Sequence, residues 1–293
     1  MPVAALHGRR PAGRLGFLRA ITHTWSGRSG LAIVCVILLA IIFGPALAPH
    51  APDEVAVGLP LSPPSSGLPF GTDNLGRDVF SRFLSGGRTV LLIPLASVAL
   101  ATISGGLLGM VAGYVGGVFD AVVARVFDIL LTLPPLLIAL AVIAGFGSSN
   151  QVLLVTIAVI YLPQIGRVAR GATLAVVTAD FVQAARARGE RAVPIVVREI
   201  SPNIAGPLIS DLALRVTYGV IFVSGLNFLG LGAQPPSPDW GLSVASSLGY
   251  VQVQPWAALA PVIGIAALSV GLNLIADSII RHVNNDTAKD SML

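Results

Sequence analysis

Long apolar runs are the feature that most constrains the fold of this chain. The first, at residues 30–48, contains no charged side chain, and comparable runs begin near positions 89, 121, 152, 204 and 256. About 20 apolar residues in a helix are enough to cross the hydrocarbon core of a bilayer, which is roughly 30 Å thick. The backbone must satisfy its own hydrogen bonds there, as a helix does. The runs therefore predict an all-α integral membrane protein with six transmembrane helices.

The composition excludes an ordinary soluble protein. Apolar residues make up 54% and charged residues 11% of the chain, and the mean hydropathy is +0.84, whereas about a quarter of the residues in soluble domains are charged. The net charge of +4 is scattered and lacks an aromatic and basic stripe, so nothing indicates nucleic-acid binding. The single cysteine excludes an internal disulfide, and the four histidines lack the spacing of metal ligands, so we expect no bound metal.

The apolar runs and the polar stretches between them define the predicted organisation of the chain. A basic segment comes first, and its part from about Arg14 could rest on the membrane surface as an interfacial helix. The last five spans form a core at 89–281, in which the third span is interrupted at Pro134 and Pro135. The predicted segments are the N-terminal segment 1–29, a span at 30–48, a loop at 49–88, spans at 89–112, 121–144 and 152–166, a loop at 167–203, a span at 204–228, a segment at 229–255, a span at 256–280 and a tail at 282–293.

The distribution of arginine predicts the orientation. Six spans place both termini on one side, and the N-terminal segment and the loop 167–203 carry five and six arginines. The loop 49–88 carries three arginines and four acids. Because positively charged loops stay in the cytoplasm, we expect both termini and the loop 167–203 to be cytoplasmic. The loop 49–88 and the segment 229–255 are then extracytoplasmic.

Three glycines recur at every fourth position of the second span. Gly105, Gly109 and Gly113 therefore share one helix face. Small residues at this spacing let a second helix approach closely, since lipid provides no hydrophobic force for pairing helices. Tolerance of glycine in a membrane helix is the simpler alternative, but three in register favour close packing.

The loop between the fourth and fifth spans contains the densest cluster of arginines. The apolar residues from Phe181 onward predict a short helix that ends at Gly189 and a second that ends at Pro202. Because glycine adopts backbone conformations that few other residues tolerate, an elbow is predicted at Gly189. On charge pattern alone, a solvated loop is the simpler interpretation. The arginines are Arg186, Arg188, Arg191 and Arg198.

Three motifs, in order along the chain, resemble those of one transporter family. They are FGTDNLGRDVFSR at 70–82, DFVQAARARG at 180–189 and NFLGLGAQPPSPDWG at 227–241. Together they resemble the ABC importer permeases of the dipeptide, oligopeptide and nickel family, and in particular the second of the two permease subunits. Ala184, Ala185 and Gly189 of the central motif, with Pro202 thirteen residues after the glycine, match the "EAA" cytoplasmic loop of such permeases. The resemblance covers about residues 30–281.

The resemblance implies a type I ABC importer permease fold and a set of partner subunits. It implies that the chain forms a translocation pathway with a second permease, and that an extracytoplasmic binding protein delivers a peptide or a related small solute. Two ATPase subunits would dock on the EAA-like loop and bind ATP and Mg, while this chain would bind no cofactor and catalyse no reaction. The sequence G-x-x-x-x-G-K-[ST] occurs nowhere in the chain. The implied location is the bacterial cytoplasmic membrane. The implied docking residues are Gln183, Ala184, Ala185, Arg186, Arg188, Gly189, Arg191, Ile195, Arg198 and Pro202.

Four residues of the loop depart from the family pattern: Gln183, Pro194, Glu199 and Ser201. Gln183 replaces the usual acid and cannot form a salt bridge. If an ion pair to the ATPase begins there, Asp180 or Glu190 would have to supply the charge. Pro194 is tolerated in the first turn of a helix, so the second short helix is predicted to begin close to it.

Charged residues inside the predicted spans are candidates for function. They are Asp128, Asp211, Arg215 and Asp277. Asp211 and Arg215 are four residues apart and can pair on one helix face. Two interpretations stay open: this pair lines the translocation path and meets the termini of the substrate, or it is a structural bridge. Asp277 is expected to form an ion pair with Arg281 at the membrane boundary.

The external motif at 70–82 mixes turn-forming and charged residues. Asp73, Arg77 and Asp78 are candidates for contact with the binding protein. A network of these three residues that fixes the loop on the second span is an equally open interpretation.

Two other classes of membrane protein compete with an importer subunit. In an ion-coupled secondary carrier, Asp128, Asp211 and Arg215 would be the coupling groups. Six spans without an internal inverted repeat fit a half-transporter better than a complete carrier. An intramembrane protease is disfavoured because the chain has neither a GxGD string nor a GxSx string with a downstream histidine.

Overall fold

A computed structural model describes residues 22 and 24–290, with side chains to Val283. The predicted interfacial helix near Arg14 lies outside these residues. The described chain is built from helices, which confirms the all-α class. Five helices are long and apolar enough to cross a membrane, and the bent pair α3 and α4 adds a sixth span when counted as one. The helices are α1 Trp25–Leu47, α2 Val79–Val115, α3 Gly117–Thr132, α4 Pro135–Phe146, α5 Asn150–Val176, α6 Asp180–Ala187, α7 Ala205–Phe228, α8 Trp240–Ser247 and α9 Trp256–Asp290.

The glycine stripe of α2 packs directly on α5. A Cβ atom on Gly105 would lie 2.4 Å from the carbonyl oxygen of Leu162, and one on Gly109 would lie 2.1 Å from that of Gly166. A Cβ on Gly113 would lie 3.0 Å from the carbonyl oxygen of Arg170, one turn further along α5. The predicted close helix pairing is therefore present, and it places backbone against backbone over two helical turns.

Helix α2 is longer than the predicted span 89–112. It begins at Val79 because the carboxylate of Asp78 accepts a hydrogen bond from the Phe80 N–H at 3.0 Å, which caps the helix. The first turns also carry Arg82, which donates to the carbonyl oxygen of Ser237 at 2.9 Å. Because these residues are polar, the sequence prediction assigned the first turns of the helix to the loop 49–88.

The third predicted span is broken. Helices α3 and α4 meet at an angle of 87°, and the break lies at Leu133 and Pro134, which have extended backbone. Pro135 is the first residue of α4, where a missing N–H is tolerated. Phe127 of α3 is fully buried against Gly166 of α5, where a Cβ would lie 2.4 Å from its ring.

Helix α5 extends ten residues beyond the predicted span 152–166. The prediction ended the span where the charged residues begin, but these residues are paired within the bundle. Arg170 donates to both carboxylate oxygens of Asp120 on α3. Arg167 pairs with Asp128, which also lies on α3. The predicted loop 167–203 therefore leaves the helix only at Val177.

The extracytoplasmic end predicted at 229–255 is a packed cap that contains α8. Trp240, at the start of α8, is buried; its indole stacks on Phe83 with ring centroids 5.3 Å apart and donates to the Phe83 carbonyl oxygen at 2.8 Å. A Cβ on Gly87 would lie 2.7 Å from this indole. Asp239 caps α8 through the Leu242 N–H at 3.1 Å, and burial raises the pKa of its carboxyl group. At the margin of the bundle, α1 packs on α9.

Candidate functional site

The predicted elbow lies directly after α6. The Gly189 N–H donates to the Arg186 carbonyl oxygen at 2.9 Å and the Glu190 N–H to that of Ala185 at 3.2 Å, which is a Schellman motif. Gly189 has a φ angle of +75°, in the region that favours glycine. No atom lies within 4 Å of the position that its Cβ would take. The backbone corner, rather than crowding, therefore requires glycine.

A second helical arm follows the elbow at residues 192–203. Its middle is a π-helix, Ile195–Ile200, and it begins and ends with the short α-helical turns Ala192–Pro194 and Ser201–Asn203. Pro194 lies in the first turn, as expected. Pro202 does not end this arm, contrary to the prediction. It lies at the start of a new α-helical turn, where its missing N–H is tolerated after the π-helix has shifted the bonding register.

The inward face of the elbow packs on the ends of α2 and α5. Ala185 and Ile195 are fully buried there. Their side chains are enclosed within the chain itself and are not exposed to a partner, so the predicted docking of an ATPase on these two residues gains no support from their burial. Their small and branched side chains instead hold the elbow against the bundle. The buried cluster consists of Met110, Ala169, Val182, Ala185, Ile195, Val196, Ile200 and Ile204.

The outward face of the elbow carries the remaining predicted docking residues. Two exposed apolar side chains of the same segment were missed by sequence reasoning, Val193 and Val197, which are 70% and 51% exposed. Both lie in a run of valine and isoleucine, and the π-helix decides which of these point outward. The exposed predicted residues are Gln183, Ala184, Arg186, Arg188, Gly189, Arg191, Arg198 and Pro202.

Of the two acids that could replace the family acid at position 183, one is paired within the elbow and one is not. Arg188 pairs with Glu190 at 2.7 Å and lies 3.7 Å from Glu199. Arg186 lies over the ring of Tyr114 at 4.6 Å, which ties the elbow to the end of α2. Of the two acids expected to replace the family acid at position 183, Asp180 is exposed and forms no ion pair with another described residue. Asp180 is therefore the one available to a partner.

The predicted pair within α7 is present and has a third partner. Arg215 donates from Nε and Nη2 to the two oxygens of Asp211 at 2.6 and 2.8 Å. Its Nη1 atom donates to the amide oxygen of Gln164 on α5. The guanidinium carbon lies 5.8 Å from the ring centre of Tyr161. The pair therefore links α7 to α5.

The other predicted intramembrane charges behave differently. Asp128 is bonded to Arg167, and the side chains of this pair are 46% and 55% exposed. Among the described residues, Asp277 forms no ion pair with Arg281, contrary to the prediction; Arg281 is exposed, and an exposed charge needs no partner within the chain. Sequence reasoning missed the pair of Asp120 and Arg170, which the spacing of charges along a single helix could not reveal.

The external candidates form a buried network. Asp73 accepts from Arg77 Nε at 2.6 Å, and Asp78 accepts from Ser81 Oγ at 2.6 Å. All three predicted residues, Asp73, Arg77 and Asp78, are less than 9% exposed. Their burial favours the network that fixes the loop on α2 over a direct contact with a binding protein.

The described residues show no constellation suited to catalysis by a metal ion. No three His, Cys, Asp or Glu side chains among them lie close enough to hold one. The arrangement instead consists of the elbow and of charged and polar side chains that are paired between helices.

Comparison with known proteins gives consistent matches over most of the chain. The profile of the family described as "Binding-protein-dependent transport system inner membrane component" matches residues 105–289. A probable D,D-dipeptide transport system permease of Escherichia coli is 38% identical over 84% of this chain and 83% of its own length. A dipeptide transport system permease of Alkalihalophilus pseudofirmus is 36% identical over 85% of this chain and 82% of its own.

Two further matches concern a different cargo and the fold. A glutathione transport system permease of Pectobacterium atrosepticum is 34% identical over 74% of this chain and 72% of its own. A chain of the MetNI methionine ABC transporter, solved in an inward-facing conformation, superposes with a TM-score of 0.54. It is 17% identical and covers 68% of this chain and 94% of its own, which shows a likeness of fold.

Proposed function

Because the chain belongs to the family of binding-protein-dependent transport system inner membrane components, we propose that it is one permease subunit of an ATP-driven peptide importer. Two relatives, at 36% and 38% identity, are named as dipeptide permeases, and glutathione, the cargo named for another relative, is itself a small peptide. Peptides are therefore the cargo class that the relatives favour.

The two-faced elbow is the observation that carries this proposal. Its inward face is buried against α2 and α5, so a displacement of the elbow moves these helices with it. Its exposed residues include Val193 and Val197 and four arginines. Exposed apolar side chains together with arginines are typical of a protein interface. We assign this exposed surface to an ATPase subunit.

The assembly needs several partners. A second permease completes the translocation pathway, two ATPase subunits dock on the elbows of the permeases, and an extracytoplasmic binding protein delivers the cargo. ATP and Mg bind to the ATPases, and this chain contributes no cofactor and no catalytic group. Its role is to convert closure of the ATPases into a change in the pathway.

The orientation follows from charge. The elbow and its arginines lie at one end of the bundle, and the cap around Trp240 lies at the other. Since positively charged segments stay in the cytoplasm, we place the elbow and both termini in the cytoplasm of a bacterium. The cap then faces the binding protein.

We do not propose an ion-coupled carrier. Its coupling groups would be Asp128, Asp211 and Arg215, and each of these is paired within the chain. Coupling by protons needs a group that gains and loses its charge during the cycle, and a close ion pair opposes this change.

Reconstitution tests the proposed function. The chain is purified with its second permease, the two ATPases and the binding protein, and incorporated into liposomes with a labelled dipeptide outside. We expect uptake that requires both ATP and the binding protein and that stops when the phosphate-binding lysine of the ATPases is replaced. Uptake by this chain without ATPases would contradict the proposal.

A further inference from the structure

The polar cluster around Arg215 lies near the midpoints of two helices that are long and apolar enough to span a membrane. Arg215 is close to the midpoint of α7, Ala205–Phe228, and its partner Gln164 is close to the midpoint of α5, Asn150–Val176. Charged side chains at this depth are rare because their desolvation is unfavourable, and they mark substrate or ion pathways in many transporters. The location therefore calls for an explanation beyond helix packing.

The contacts of Arg215 leave part of its hydrogen-bonding capacity unused. A guanidinium group has five N–H donors. Two of them bond to Asp211 and one bonds to Gln164, so two have no partner among the described residues. The side chain of Arg215 is 14% exposed, which leaves these donors a path to the surface of the chain.

The surface beside this cluster is not suited to lipid. Arg167 lies three residues after Gln164 on α5, so the two share a helix face. Arg167 and its partner Asp128 are about half exposed, although they lie within the spanning segments. Half-exposed charges in a span face a water-filled cavity or another protein rather than hydrocarbon. The open side of Arg215 thus belongs to a surface that lines a pathway or faces the second permease.

We propose that Arg215 is a specificity-determining residue of the translocation pathway, where it binds the carboxylate of the transported peptide. A carboxylate accepts charge-assisted N–H bonds from a guanidinium, and one donor on Nη1 and one on Nη2 have no partner among the described residues. Asp211 meanwhile keeps its own pair of bonds to Arg215 and holds the side chain in position. Since Asp211 already neutralises the charge, binding is weak enough to permit release. This inference rests on the proposed function, because it takes the cargo to be a peptide.

Uptake by the complete reconstituted importer tests the inference. Three labelled peptides are compared at concentrations that saturate the binding protein: a neutral dipeptide with a free C-terminus, its C-terminal amide, and an amide with a glutamate side chain. The variants are Arg215→Gln and the neutral double variant Asp211→Asn with Arg215→Gln. Arg88→Gln is the control, because Arg88 is an arginine of α2 that lies outside this cluster and also bonds to another helix, through backbone carbonyls of α1.

We expect both Arg215 variants to lower the ratio of free-acid to amide uptake about tenfold, which corresponds to about 1.4 kcal/mol. Arg88→Gln leaves this ratio at the wild-type value. A loss confined to the free C-terminus assigns the carboxylate to the terminus. A parallel loss for the glutamate-containing amide, relative to the neutral amide, extends recognition to a side-chain carboxylate.

Three results would overturn the inference. An unchanged ratio would show that Arg215 does not recognise the carboxylate. An equal loss for all three peptides, or failure of both variants to assemble in size-exclusion chromatography, would assign Arg215 to helix packing. The two proposals can be separated. Uptake that needs no ATP but still shows the Arg215 effect would contradict the proposed function and leave the carboxylate site standing.

Discussion

Replacement of Gly189 by valine is the perturbation whose effect the elbow geometry defines best. The φ angle of +75° costs a residue with a Cβ atom about 1–2 kcal/mol, and a β-branched residue more. No atom lies within 4 Å of the Cβ position, so this cost is conformational and not a clash. A strain of this size lowers the population of the observed elbow about 5- to 30-fold. Asparagine tolerates this backbone region, so Gly189→Asn should have a smaller effect.

The assay is stimulation of ATP hydrolysis by the loaded binding protein in the reconstituted complex. We expect Gly189→Val to remove most of the stimulation while insertion into the membrane is unchanged, with Gly189→Asn in between. Gly67→Val is the matched control, because Gly67 lies in the external loop, also has no atom within 4 Å of its Cβ position and has no positive φ. Stimulation by Gly189→Val equal to that of the wild type would refute the argument that the elbow transmits the signal.

Two further predictions concern helix packing and docking. Gly109→Ala should destabilise the protein by about 1–3 kcal/mol, since the new Cβ would lie 2.1 Å from the Gly166 carbonyl oxygen. Gly106→Ala is the control, because no atom lies within 4 Å of its Cβ position, and it should leave the midpoint of thermal unfolding unchanged or higher. Equal midpoints of unfolding for the two variants would contradict the close packing of α2 on α5. Val193→Glu places a charge at an exposed apolar position of the elbow and should weaken co-purification of the ATPase at least tenfold. Leu59→Glu, at an exposed position of the external loop, should have no effect on co-purification, and retention of the ATPase by Val193→Glu would exclude this face as the docking surface.

The membrane spans could be predicted because a bilayer imposes a simple rule on composition. The predicted span 204–228 differs from α7 by one residue at its start. The glycine stripe could also be predicted, since a repeat of four residues on one helix indicates which face lies close to another helix. In each case the information is local to one segment of the chain.

The bounds of α5 and the faces of the elbow depended on distant contacts. The charges of Arg167 and Arg170 ended the predicted span, but the acids that neutralise them lie 39 and 50 residues away in the sequence. The bond from Arg215 to Gln164 likewise joins residues 51 positions apart. Burial of Ala185 depends on how the elbow meets α2 and α5, and one helix taken alone does not reveal that orientation.

Side-specific labelling of the elbow tests the central claim most directly. The only cysteine, Cys35, is replaced by serine, and single cysteines are introduced by Arg191→Cys at the elbow and Leu59→Cys in the external loop. A membrane-impermeant maleimide is then applied to intact cells and to opened membranes, with and without the ATPase subunits. We predict that Leu59→Cys is labelled in intact cells, and that Arg191→Cys is labelled only in opened membranes and is protected by the ATPase. Labelling of Arg191→Cys in intact cells would contradict the account.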